Sequence, residues 1–98
     1  MFVKIYGSYR KVVAVCDEGL IGKILEEGKL CLEIKESFFK GKNVSEKEVV
    51  EIMGDLSKED ATFNIVGKNS VNAALNAGII SEEGIKTING IPFALVLM

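Results

Sequence analysis

The chain has 98 residues, of which 48% are hydrophobic and 27% charged, and a formal net charge of −2. That length supports a single domain over residues 1–98 with one core, and that balance of apolar and charged residues excludes a disordered chain. It contains no histidine, which removes the commonest general base and the commonest metal ligand, so no catalytic residue, metal site or cofactor is expected.

The first element is "FVKIY", Phe2 to Tyr6, whose alternation of apolar and polar residues predicts a half-buried strand. Gly7-Ser8 makes a turn into "KVVAVC", so the chain opens with a hairpin. Asp17 to Gly22 is a tight connection, followed by a strand-like segment near Ile24 and Leu25. A turn around Gly28 leads to a third strand with Leu30, Leu32 and Ile34 on one face. Phe38-Phe39 followed by Gly41 closes this half with an aromatic plug.

The first main helix starts at Ser45. Ser45 and Glu48 have the spacing of a capping box, and Val44 and Val49 that of a hydrophobic staple. Val49, Ile52, Met53 and Leu56 then form one apolar stripe, and Gly54 weakens or stops the helix near its end. "SKED" is a polar loop and "ATFNIV" a strand. The second main helix runs from Lys68 to Ala77 and ends at Gly78, with Val71, Ala74 and Leu75 inward and Asn72 and Asn76 outward. Ser81 to Gly84 is a turn, "IKTI" a strand, and Asn89-Gly90 a two-residue hairpin turn. The last strand, "IPFALVL", is apolar on both faces and therefore expected to be central, with Pro92 at its start. Hairpins separated by two helices predict an α+β fold: a two-layer α/β sandwich, mostly antiparallel, with two main helices.

Lys4 and Arg10 interrupt the only candidate leader, and the apolar run Ile91 to Met98 falls well short of the roughly 20 residues that span a membrane. A cytoplasmic protein without membrane contact is expected. Cys16 and Cys31 show no CxxC spacing and are expected as reduced thiols. Absence of glutamine and tryptophan, with abundant isoleucine, lysine and glutamate, hints at a thermophilic or archaeal source.

Three stretches carry a resemblance: "CDEGLIGK" from Cys16 to Lys23, "NIVGKNSVNAALNAG" from Asn64 to Gly78, and the closing "INGIPFALV". In order and spacing they resemble the archaeal domain-of-unknown-function family numbered 424, over almost the whole chain. Asn89 stands where that family often has glycine, and Lys68-Asn69-Ser70 where Glu-Arg pairs are commoner. The resemblance implies a two-layer α/β sandwich. It also implies an RNA or ribosome association, because the family's genes often neighbour translation-related ones. It supplies no catalytic residue.

Does "VGKNS" hold phosphate? A nucleoside-triphosphate loop needs a glycine five residues before Gly67 and Ser or Thr directly after the lysine. Thr62 and Asn69 stand there instead. Gly67 as helix N-cap, with Val66 and Val71 in staple positions, accounts for the motif as a plain helix entry. A free helix start at Gly67, Lys68, Asn69 and Ser70 is the alternative, an anion-binding module. In "CDEGLIGK", Asp17 and Glu18 with Lys23 would serve an enzyme only if all three met in one cleft. Neighbouring residues on a strand point apart, which favours a turn with solvated charges.

Charge is unevenly spread. Residues 1–16 carry Lys4, Arg10 and Lys11 without an acid, residues 35–42 add Lys35, Lys40 and Lys42 against Glu36, and residues 45–60 are acidic. Basic residues interleaved with Tyr6, Tyr9, Phe38 and Phe39 suit a face that stacks bases and neutralises phosphates. The leading expectation is a non-enzymatic accessory domain. Lys4, Tyr9, Arg10, Lys11, Lys35, Lys40 and Lys42 would contact RNA or a ribosome-associated protein. Tyr9, in the hairpin turn, is expected to be exposed, and homodimerisation through a strand edge is compatible with every reading.

Overall fold

Alternation along the first sixteen residues produces the opening hairpin: β1 (Phe2–Tyr6) pairs antiparallel with β2 (Val12–Cys16), Val3 opposite Val15 and Ile5 opposite Val13. The computed structural model describes residues 1–7 and 9–97, so Ser8 of the expected Gly7-Ser8 turn, and Met98, lie outside the described residues. A single turn of 3₁₀ helix (Glu18–Leu20) leads to the hairpin of β3 (Ile24–Glu27) and β4 (Leu30–Glu33). A short helix α1 (Glu36–Phe39) and a two-residue strand β5 (Lys42–Asn43) precede the long helix α2 (Glu46–Ser57). Then follow β6 (Thr62–Val66), α3 (Lys68–Ala77), a second 3₁₀ turn (Glu82–Gly84), β7 (Lys86–Ile88) and β8 (Ile91–Val96).

Six strands form one sheet in the order β5-β1-β2-β6-β8-β7. Every pairing is antiparallel except that of β2 with β6, where Cys16 lies beside Val66. The edge strands β5 and β7 are two and three residues long, short enough to blunt edge-to-edge association. Asn89 and Gly90, at φ 50° and 78°, form the tight turn between β7 and β8, the primed geometry whose twist matches the strands.

Helices α2 and α3 cover one face of the sheet. Val3, Val13, Val15, Phe63 and Ile65 point into that layer and meet Val49, Met53, Leu56, Val71, Ala73 and Ala74. This is the expected α+β sandwich with a mostly antiparallel sheet and two main helices. The reverse face carries an additional cover, in which Leu25, Ile34 and Phe39, from the β3–β4 hairpin and α1, pack on Ala14, Cys16 and Val66. Phe38 stacks on Tyr6 at 5.3 Å and meets Phe39 edge-on at 5.0 Å, so the aromatic plug is a turn of helix. Among the described residues, no helix is long and apolar enough to cross a membrane.

Four local expectations change. Helix α2 continues through Gly54 to Ser57, because Met53 and Leu56 are buried against the sheet on either side of it and outweigh the roughly 1 kcal/mol that a glycine costs a helix. Leu30 is exposed rather than aligned with buried Ile34, since it stands at the turn of its hairpin. Strand β8 lies inside the sheet, but Leu95 and Leu97 are 57% and 74% exposed, as the reverse cover does not reach that end. Val66 and Val71 belong to different clusters, so no staple forms at α3; strand alternation turns Val66 to the reverse face.

Candidate functional site

The parallel pairing of β2 and β6 determines the geometry of the "CDEGLIGK" and "VGKNS" motifs, for both strands end at the same edge of the core. Asp17 leaves β2 with its N–H donating to the Val66 carbonyl at 3.2 Å. Gly67 leaves β6 alongside it, at φ 111° and ψ 153°, a conformation essentially reserved for glycine. A Cβ at Gly67 would collide with the Asp17 carboxyl carbon. Glycine therefore lets the carboxylate lie directly against the start of α3, while the Gly67 N–H donates to the Pro92 carbonyl at 2.8 Å.

Asp17 accepts three hydrogen bonds there. The Asn69 N–H donates to Oδ2 at 3.1 Å, the Ser70 N–H to Oδ1 at 2.8 Å and the Ser70 hydroxyl to Oδ1 at 2.7 Å. Ser70 is wholly buried and Asp17 is its side-chain partner. The helix start expected to receive an anion at Gly67, Lys68, Asn69 and Ser70 thus has the Asn69 and Ser70 N–H groups already spent on a carboxylate from the same chain. Gly67 supplies no cap of its own, and Asp17 takes that place. A glycine at the N-cap with no capping oxygen nearby in sequence was the available signal that a cap must arrive from elsewhere.

Beside this junction the surface is concave. A cleft of about 450 Å³ is lined by Asp17, Glu18, Leu20, Lys23, Lys68 and Asn69, among others. Asp17, Glu18 and Lys23 do share one cleft, but the Asp17 carboxylate is engaged by α3, and Glu18 lies 3.4 Å from the Met1 ammonium. Burial, then the neighbouring Asp17, push the Cys16 thiol up to about 11, so the neutral thiol dominates at ordinary pH and is no nucleophile. Cys31 is exposed, and both thiols are free.

The basic set divides. Lys4 lies on the α1 side of the sheet, its ammonium donating to the Ser37 carbonyl at 2.8 Å and standing 5.3 Å from the centre of the Tyr6 ring. Lys35 begins α1, and Lys40, just past its end, pairs with Glu36 at 3.3 Å. Lys42 sits opposite Val3 in the β5–β1 register, which turns it to the side of α2 and α3, away from Lys4. Lys11 pairs with Glu59 beyond α2 at 3.5 Å. Tyr9 and Arg10 are exposed at the hairpin tip, Tyr9 to 93%, as expected. The fold therefore sets Lys4 against the Tyr6 ring, puts Lys35 and Lys40 at the two ends of the neighbouring α1, and separates Lys11 and Lys42 from them.

A search of curated proteins returns no match. Among solved structures, an uncharacterised conserved protein from the archaeon Methanopyrus kandleri is similar, at 25% identity and a TM-score of 0.83, over 97% of this chain and 88% of that one. A family model described as "Protein of unknown function (DUF424)" matches residues 6–98. With that match spanning nearly all of its length and the resemblance of its motifs confirmed, the chain belongs to this uncharacterised conserved family.

Proposed function

We propose that the protein is a non-enzymatic module that binds RNA, free or within the ribosome, through the β1–β2 tip and the adjoining α1 side of the sheet. The observation that carries this reading is Tyr9: an aromatic ring 93% exposed beside Arg10. A ring so placed adds nothing to the core, yet it suits stacking on an unpaired base, while arginine supplies charge and a second stacking plane. Behind the tip, three residues back along the chain, stands Tyr6 with Phe38 stacked on it and Lys4 over its ring. Lys35 adds positive charge at the start of α1, while Lys40 at its end is paired with Glu36. Lys11 and Lys42 contribute little, because the first is paired with Glu59 and the second faces the opposite layer.

With a net charge of −2, the chain as a whole does not attract nucleic acid, so binding depends on this local arrangement. The test is a salt series of binding to total cellular RNA and to ribosomes. Affinity should fall steeply with salt, with a log–log slope of about −0.7 per phosphate contacted on a single strand. Arg10→Glu and Tyr9→Ala should each weaken binding about tenfold or more, taking base stacking as worth about 1–3 kcal/mol. Lys42→Glu should change it little. Wild-type protein that binds neither RNA nor ribosomes at low salt removes this reading.

A further inference from the structure

We propose that the cleft between the Glu18–Leu20 turn and the start of α3 binds a small anionic molecule, a phosphate or carboxylate with an apolar body, using Lys23 and Lys68 as counter-ions. The site is separate from the Tyr9–Arg10 tip and stands whether or not the tip binds RNA. Its volume of about 450 Å³ matches the few hundred Å³ typical of small-molecule sites. Leu20 and Ile91 supply apolar wall, and Lys23, Lys68, Asn69 and Glu18 supply polar groups.

The charge balance of the cleft selects the ligand. Lys11 and Lys40 have carboxylate partners elsewhere on the surface. Like several other surface lysines, Lys23 and Lys68 make no ion pair and no side-chain hydrogen bond among the described residues; what distinguishes them is that both line this cleft. Of the two acids in the cleft, the Asp17 carboxylate is held by three donors at the start of α3 and Glu18 lies against the Met1 ammonium, so neither pairs with Lys23 or Lys68. With the Met1 ammonium, Lys23 and Lys68 against Asp17 and Glu18, the lining carries more positive than negative groups, a balance that favours an anion.

This is not the anion grip of a phosphate loop. The backbone N–H groups of Asn69 and Ser70 are occupied by Asp17, so the lysine side chains are the anchors and Asp17 is a wall. Lysine 23 comes from "CDEGLIGK" and lysine 68 from "VGKNS"; the Asp17 bridge to α3 brings the two motifs to one place.

The test is an amide-resolved NMR titration of the whole chain with inorganic pyrophosphate and, separately, hexanoate, at constant ionic strength. Saturable shifts at Gly19, Lys23, Lys68 and Asn69 with either probe are expected. They should weaken at least tenfold in Lys23→Glu and in Lys68→Glu while the remaining resonances keep their positions, and persist in Lys23→Arg. Saturation with pyrophosphate alone assigns a phosphate ligand, and with hexanoate alone a carboxylate. Shifts that never saturate, that spread over unrelated lysines such as Lys29 and Lys47, or that survive both glutamate variants would overturn the proposal. RNA affinity in the same glutamate variants should remain that of the wild type, since the tip is untouched.

Discussion

Helices α2 and α3 pack side by side on the same face of the sheet, yet they begin in different ways. At α2 the Ser45 hydroxyl accepts from the Glu48 N–H, three residues on, at 3.3 Å, and Val44 and Val49 both lie in the core beneath. At α3 the capping oxygens come from Asp17, 52 and 53 residues earlier in the chain. The first cap stabilises its helix and little else. The second joins the exit of β2, the exit of β6 and the start of α3, so the parallel pair β2–β6 is locked where its strands end. A charged acceptor taking three hydrogen bonds is also stronger than a neutral hydroxyl taking one. A remote cap thus makes helix formation conditional on long-range strand pairing, whereas a local cap does not.

The largest effect on this contrast is expected from Gly67→Ala. The new Cβ meets the Asp17 carboxyl, and an L side chain is forced to φ 111°. Together, strain and overpacking should remove about 3 kcal/mol of stability, read as a lower urea midpoint. Wild-type stability in that variant would mean that Asp17 does not occupy the helix start. Next comes Asp17→Ala, with an expected loss of about 2 kcal/mol from the missing cap and the stranded Ser70 hydroxyl. A double-mutant cycle with Ser70→Ala should show coupling, and additive losses would break the bridge into unrelated contacts.

Ser45→Ala should cost about 1 kcal/mol and show no coupling to Asp17→Ala, because the two caps share no partner. The smallest effect sharpens the comparison through the thiols. Exposed Cys31 should react with a thiol reagent at once, while buried Cys16, adjacent to Asp17, should react only when that junction opens. Asp17→Ala should speed Cys16 labelling relative to Cys31, and Ser45→Ala should leave the ratio unchanged. The Cys16 thiol, raised from 9.0 to about 11 in the fold, also gives a pH signature. Because the folded state holds the proton more tightly, its contribution to stability is complete below pH 9.0 and is lost as the pH rises through about 11. Cys16→Ala should flatten that decline.

Much of the fold was legible because its signals are short in range. Alternation in "FVKIY" and "KVVAVC" specified β1 and β2, Ser45 with Glu48 marked the start of α2, Gly78 the end of α3, and Asn89-Gly90 the last hairpin. The errors arose where a distant neighbour overrides a local rule. Gly54 is carried through by the burial of Met53 and Leu56, and Val66 belongs to the opposite layer from Val71 because its strand, not the helix after it, sets its direction. Tyr9 was legible as exposed from its place in a turn. That Lys4 and Lys42 face opposite ways was not, since it depends on the β5–β1 register.

By itself, the sequence determined the element types, the α+β class and the family, all of which rest on periodicity, caps and turns acting over a few residues. Only the tertiary structure decided that Asp17 fills the start of α3, that Lys23 and Lys68 share a cleft, and that the basic residues divide between two faces. Those facts follow from the pairing of β2 with β6 and of β1 with β5. Such pairings are selected by packing of the whole core, and no stretch of a dozen residues carries that information.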